Sequence, residues 1–362
     1  MSVTRTLYLH MGHAKTGSSW IQTSLRMSQD ALAAHEIRYA EGDRLAVDAD
    51  RRITSGNGVG LLDSEASMAA RLGRSDIAPD ASILFSREHW GSDLDPSLAS
   101  HLSRIAEQHG FERVSVLLFI RNPIGHASSA WQQAVKRGSR CQRIEDFYRE
   151  YAFPQNVART LETLAKCNGV EVRVRNYSRC KGRLLEETAA WLDLPEDSLQ
   201  RPTVTRVNRS MTRAELALQM GLNSQLGASV RLLSDPLCEQ LTDIEPDVIR
   251  PSLSVQEHCW NALSDVIERV NAYVPQEHRY QYDPVAPDQA GGLMTVSEDQ
   301  LRVAGESLGA EIARLRANNA SLRATIDRSP STTLARAARF AKRGPTAWVD
   351  RIRHEAGVRR RV

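Results

Sequence analysis

His13-Ala14-Lys15-Thr16-Gly17-Ser18-Ser19, directly behind the apolar run Thr6-Leu7-Tyr8-Leu9-His10-Met11, decides how the rest of the chain is read. The apolar run has the length of a buried strand, and residues 18–27 carry a helical pattern. The residues between them therefore form a tight turn from strand to helix. Such a turn is an anion site: amide N–H groups converge at the start of the helix, and the helix dipole favours negative charge there. The nucleotide-kinase version is GxxxxGK[ST], with lysine directly after the second glycine. Here Gly12 and Gly17 keep that spacing, Ser18 takes the lysine position, and the lysine stands earlier, at Lys15. A lysine on the strand side of the turn reaches the bridging oxygen between a phosphate and a transferred group. Gly17, Ser18 and Ser19 are left to hold the phosphate by backbone and hydroxyl.

Working outward, strand patterns recur over 81–86, 113–120 and 170–175. Helical patterns lie between them, over 96–108, 123–136, 153–167 and 183–192. Strands alternating with helices predict βαβ units, so the fold class is α/β with a parallel β-sheet flanked by helices. After Pro202 the pattern is helical, clearest over 213–220 and 255–273. The third strand runs straight into Arg121-Asn122-Pro123, where Asn122 suits a helix cap and Pro123 a first turn. Ser129 follows Arg121 by eight residues. An arginine at a strand end and a serine two turns along the next helix face one anion above the carboxyl edge of the sheet. Guanidinium plus hydroxyl is a natural grip for a phosphomonoester.

The string Lys15-Thr16-Gly17-Ser18-Ser19-Trp20 resembles the 5′-phosphosulfate loop of sulfotransferases that use 3′-phosphoadenosine 5′-phosphosulfate (PAPS). Arg121-Asn122-Pro123 with Ser129 resembles the 3′-phosphate motif of the same family. The resemblance covers about residues 6–210 and implies a P-loop-like sulfotransferase fold with PAPS as donor. It implies Lys15 on the leaving phosphate, Thr16 to Ser19 around the 5′-phosphate, and Arg121 and Ser129 on the 3′-phosphate. Tyr177, followed by Leu184-Leu185 and Trp191-Leu192-Asp193-Leu194-Pro195, is a weaker echo. By it, Tyr177 and Trp20 contact adenine, although both also read as core aromatics. Arg206-Val207-Asn208-Arg209-Ser210 is a lid segment in the same comparison, with Asn208 and Arg209 near the 3′-phosphate. The RKGxxG segment of cytosolic animal members is absent.

Sulfuryl transfer needs positioning, charge stabilisation on the leaving oxygen, and a base for the acceptor hydroxyl. Ser86-Arg87-Glu88-His89 ends the second strand, so Glu88 is the first candidate base and His89 the second. The same residues also read as a surface cluster that orients a loop. His13 reads as structural or acceptor-side, and His126 receives no role. No grouping calls for a metal.

The remaining features bound the whole. A hydrophobic fraction of 41% and a net charge of +3 fit a folded protein with a substantial core. Five scattered cysteines without a CxxC pair predict reduced thiols. No run reaches the roughly 20 apolar residues of a membrane span, and a cytoplasmic protein is expected. The organisation reads as a sulfotransferase domain over 1–285, a linker over 286–297, a heptad helix over 298–327 and a basic tail over 328–362. In the helix Leu301, Leu308, Leu315 and Leu322 recur every seven residues, with Gly305, Ile312, Asn319 and Ile326 out of phase. This reads as a short coiled coil making a homodimer, or as a helix folded back on the domain. The tail holds nine Lys or Arg between 336 and 361 against Asp350 and Glu355. It reads as a solvated terminus, or as a contact with an anionic glycan or the inner face of the cell membrane. The acceptor is expected to carry a hydroxyl, with a saccharide or lipid-linked glycan the leading class, and no nucleic-acid partner is expected. Two rival functions remain at this stage: a P-loop small-molecule kinase, and a non-catalytic scaffold built on the heptad helix.

Overall fold

The structure is a computed structural model that describes residues 4–39, 56–73, 80–88, 90, 94–137, 140–202, 209–226, 231–287 and 294–328. The chain divides into two units, Met1–Ser297 and Glu298–Val362. Unit 1 holds a five-stranded sheet: β1 (Thr6–Gly12), β2 (Ile37–Tyr39), β3 (Ser82–Arg87), β4 (Arg113–Ile120) and β5 (Val170–Asn176). The spatial order is β2-β3-β1-β4-β5 and every pairing is parallel. The predicted α/β class with a parallel sheet is therefore the observed one. Every residue of β1 is buried, as is all of β4 after Arg113. That is why these strands read as continuous apolar runs: helices cover both faces.

The order of strands places the site. From β1 the chain moves outward to β2 and back to β3, then crosses to β4 and β5 on the other side. The winding direction reverses between β1 and β4. Ligands of open α/β sheets bind outside the carboxyl ends of the strands at such a reversal. The turns leaving β1 and β4 are the two motifs singled out above.

Around the sheet lie α1 (Ser18–Met27), α2 (Gln29–Ala34), α3 (Glu65–Leu72), α4 (Pro96–Gln108), α5 (Pro123–Arg137), α6 (Ile144–Arg149) and α7 (Phe153–Leu164). They are followed by α8 (Tyr177–Cys180), α9 (Leu184–Trp191), α10 (Arg213–Leu226), α11 (Ser234–Gln240), α12 (Leu253–Ala262) and α13 (Ser264–Asn271). α1 buries Ile21 and Leu25 against a cluster shared with Tyr8, Leu184, Leu185 and Trp191. Trp191 meets Tyr8 edge-on at 5.3 Å and donates its indole N–H to Ser115 Oγ at 2.9 Å. An aromatic with one polar atom is thus buried without an orphaned donor.

Two elements, β2 and α3, add to the sequence reading, and one reading changes. β2 is only three residues long, too short to show a period. α3 lies in a stretch without a legible motif; its signal is Ser64, whose Oγ accepts from the Ser67 amide at 3.0 Å. The single helix expected over 255–273 is two, with Leu263 between them. In unit 2, α14 (Glu298–Arg328) is one continuous helix of 31 residues over the predicted heptads. His89, Asn208 and the basic tail beyond 328 lie outside the described residues. Among the described residues no helix is long and apolar enough to cross a membrane.

Candidate anion site at the β1 and β4 turns

The loop between β1 and α1 adopts the left-handed region twice, at Lys15 (φ 67°) and Gly17 (φ 82°). Glycine is needed at the second position for space as well as for φ. A Cβ on Gly17 would lie 2.7 Å from Leu184 Cδ1 and 3.3 Å from Tyr177 Cε2. At Gly12 a Cβ would collide with Ser18 Oγ. Gly17 stands before the first turn of α1, and its carbonyl accepts from the amides of Trp20 and Ile21. No acceptor among the described residues takes the N–H of Ser18 or Ser19. Those two donors, with the helix dipole behind them, suit an anion.

The hydroxyls are arranged differently from the sequence reading. Thr16 Oγ1 donates to the His13 carbonyl at 2.7 Å, and Ser18 Oγ lies 3.4 Å from Thr16 Oγ1. Both side chains are buried. They brace the turn from inside, because so tight a loop leaves its own carbonyls in need of donors. Of the loop's hydroxyl groups, only that of half-buried Ser19 is left for a ligand. The side chain of Trp20, like that of Tyr177, is partly buried and packs against the core cluster.

Two consecutive carbonyls of the loop are held by side chains from elsewhere. The Ala14 carbonyl accepts from His126 Nε2 at 3.0 Å and from His13 Nδ1 at 3.0 Å. The Lys15 carbonyl accepts from Arg121 Nη1 at 2.9 Å. His126 Nδ1 in turn lies 2.6 Å from Tyr151 Oη. Burial holds both imidazoles neutral: His13 falls to about 4, and His126 falls well below its ordinary value, first by burial and then because His13 and Arg121 alongside disfavour a further positive charge. A neutral His126 that donates from Nε2 must accept at Nδ1, so the Tyr151 hydroxyl fixes its tautomer. His126, without a role in the sequence, is a strut of the loop.

Lys15 points its ammonium at Gln133 Oε1, 2.7 Å away. Its pKa is lowered to about 8, first by burial and then by the charge of Lys136; Glu88 opposes the shift, and Arg121 and Arg137 add to it. The Glu88 carboxylate is thus the charge that favours the ammonium against these cations. Arg87 beside it pairs with Asp63 at 3.2 Å. Ser129 stands one turn before Gln133 on α5, on the same face, and Gly125 one turn before that. Arg121 lies across the Tyr177 ring at 5.2 Å.

Gly125 opens a notch in which two guanidinium groups meet. A Cβ there would lie 3.8 Å from Arg121 Nε and 4.0 Å from Arg250 Nη2. Arg250 is a residue that sequence reasoning missed. It sits before Pro251 in an irregular segment with no motif, so no local signal marks it. Its Nη1 donates to the Ile249 carbonyl at 3.0 Å, while its Nε is buried without a partner. Asn122 does not cap α5 by its side chain; it receives Asn176 Nδ2 at 2.8 Å and donates to Asp283 Oδ2 at 2.9 Å, tying the ends of β4 and β5 together.

Arg209 is corrected. Both sides of its ion pair with Glu215 are fully buried, with bonds of 2.7 and 2.6 Å, and the Leu237 and Leu241 carbonyls take further donors at 3.1 and 2.6 Å. The guanidinium is consumed and is not an anion ligand. Glu215 also accepts from the Thr212 amide at 2.8 Å, and Thr212 Oγ1 accepts from the Glu215 amide at 3.3 Å, a capping box at the start of α10. Among the described residues no group of His, Cys, Asp and Glu could hold a metal ion. The arrangement is a cationic crevice, with Lys15, Arg121, Arg250 and the first amides of α1 around it, Glu88 acting on the lysine and Asp283 on the two arginines.

No family model and no curated protein matches the chain. Among solved structures it is similar to the sulfotransferase domain from the curacin biosynthetic pathway, with 14% sequence identity and a TM-score of 0.33, over 72% of this chain and 98% of that one.

Proposed function

We propose that this protein is a sulfotransferase that moves a sulfuryl group from PAPS to a hydroxyl acceptor. The observation that supports this reading best is the bond from Arg121 Nη1 to the Lys15 carbonyl, across 106 residues of sequence. It joins the two motifs into one cationic crevice at the winding reversal of the sheet. A donor with phosphate at both the 5′ and the 3′ position suits two adjoining anion grips; a nucleotide lacking the 3′-phosphate leaves Asp283 as the carboxylate that acts on Arg121 and Arg250.

In this reading the α1 amides and Ser19 hold the 5′-phosphate. Arg121 and Ser129 take the 3′-phosphate, with Arg250 beside them. Tyr177, already under the Arg121 guanidinium, offers a face for adenine stacking, and Trp20 keeps the core role its packing supports. The acceptor oxygen attacks sulfur in line, its proton passes to Glu88, and the bond from sulfur to the bridging phosphate oxygen breaks. Lys15 leaves Gln133 to meet the charge that grows on that oxygen. The acceptor is a saccharide or lipid-linked glycan hydroxyl in this proposal.

Thermal unfolding with adenosine 3′,5′-bisphosphate, 5′-AMP and magnesium ATP tests it. The bisphosphate should raise the transition most, because a ligand that binds only the folded state stabilises it in proportion to ln(1 + [L]/Kd). A larger rise with magnesium ATP would overturn the reading in favour of a kinase. Transfer of label from PAPS to carbohydrate and lipid extracts would then identify the acceptor.

A further inference from the structure

α14 carries an exposed apolar seam. Leu301, Ile312, Leu315, Leu322 and Ile326 are each about half exposed or more, although leucine and isoleucine are ordinarily buried. They fall on one stripe. The leucines at 301, 308, 315 and 322 occupy one position of a seven-residue repeat, and Gly305, Ile312, Asn319 and Ile326 occupy the position four residues on. A stripe of this kind, about 38 Å long over the 25 steps from Leu301 to Ile326 at about 1.5 Å each, needs an occupant of equal length.

We infer that the occupant is α14 of a second copy, packed parallel and in register. The positions flanking the seam carry the argument. On the leucine side stand Arg302, Gly309, Arg316 and Arg323; on the other side stand Ala304, which is already buried within the chain, and then Glu311, Asn318 and Thr325. An antiparallel pair sets the first group against itself, arginine facing arginine. A parallel pair sets it against the second group. Glu311, held in place by Arg314 at 2.5 and 2.7 Å, then meets Arg316 of the second copy, and no like charges face each other. Asn319 meets Asn319 across the axis only when the two helices are in register, and a buried asparagine pair penalises any slip. The inference rests on α14 alone and is independent of the proposed chemistry.

The test uses the full chain. Sedimentation equilibrium should give twice the 40.3 kDa chain mass. Leu315→Asp combined with Leu322→Asp should return the chain mass while leaving the thermal transition of unit 1 in place. Asn319→Cys, in a Cys141→Ser background because Cys141 is exposed, should form a disulfide dimer under mild oxidation. Asn319→Leu should tighten association at least tenfold, a gain that misfolding cannot imitate. A chain mass of 40.3 kDa at every concentration, with or without binding to anionic vesicles, overturns the pairing. A dimer that survives the double aspartate variant overturns the seam, and a dimer without the Asn319→Cys cross-link overturns the parallel register.

Discussion

Anion binding should draw a proton into the crevice at mildly alkaline pH. Lys15 has a pKa near 8 rather than the ordinary 10.5, because it is buried among other cations. At 1.36 kcal/mol per unit, that shift corresponds to roughly 3 kcal/mol against the charged form, an upper figure because part of the side chain is solvated. The sign follows from the lowered folded value. The folded chain binds fewer protons than the unfolded chain between about 8 and 10.5, so this lysine lowers stability below pH 8 and the cost fades as pH rises toward 10.5. A bound phosphate reverses the balance by restoring the charge. With a free pKa of 8, about nine-tenths of Lys15 is protonated at pH 7 and about one-tenth at pH 9, so affinity for adenosine 3′,5′-bisphosphate should fall about tenfold between them. Titration calorimetry at pH 8 in two buffers of different ionisation enthalpy should report uptake of about half a proton per ligand. Lys15→Arg should abolish both effects, since a guanidinium does not titrate in this range. Zero or negative proton uptake, or the same pH slope in Lys15→Arg, would refute the reasoning.

Gly17→Ala should destabilise unit 1 by about 2 kcal/mol in urea unfolding, from left-handed strain of about 1–2 kcal/mol plus displacement of Leu184, and should abolish the thermal shift with nucleotide. Arg250→Ala should weaken adenosine 3′,5′-bisphosphate by about 10- to 100-fold, the value of about 1.5–3 kcal/mol for a charged hydrogen bond, while leaving 5′-AMP affinity unchanged; equal loss for both ligands would remove Arg250 from the 3′ side. Arg209→Met should cost about 3–5 kcal/mol in urea unfolding by leaving Glu215 buried and uncompensated, with much of the loss recovered when Glu215→Met is added. If the folded Arg209→Met protein instead loses nucleotide affinity selectively, the correction made for this residue fails.

The parts of this fold that were legible in the sequence are those with a strong period or a forced backbone. β1 and β4 are buried on both faces, so their apolar runs could not be mistaken for surface segments. Gly12 and Gly17 mark a loop that other residues cannot close. The residues that complete the crevice are harder to read, because each acts across the chain. Arg250 reaches Gly125 from an irregular segment, and nothing near it in sequence states its destination. His126 looks like any helix histidine until the Ala14 carbonyl and the Tyr151 hydroxyl are set on its two nitrogens. Arg209 misled for the opposite reason. Its place within the expected lid segment suggested a ligand contact, while Thr212 and Glu215, three residues apart, already held the signature of a helix start that would claim a cation. Side-chain direction also escaped the motif: Thr16 and Ser18 match the family string in identity, yet their hydroxyls face the protein.

The two guanidinium groups at Gly125 differ in what they leave open to change. Arg121 grips the Lys15 carbonyl as well as facing the notch, so any substitution there alters loop geometry and ligand preference together. Among the described residues Arg250 hydrogen-bonds only the carbonyl next to it in the chain, with the charge of Asp283 acting on it. A lineage that drifted toward a donor of different charge would find its first tolerated steps at 250, with 121 held in place by its second duty. Engineering of donor preference in this scaffold should begin at the same residue.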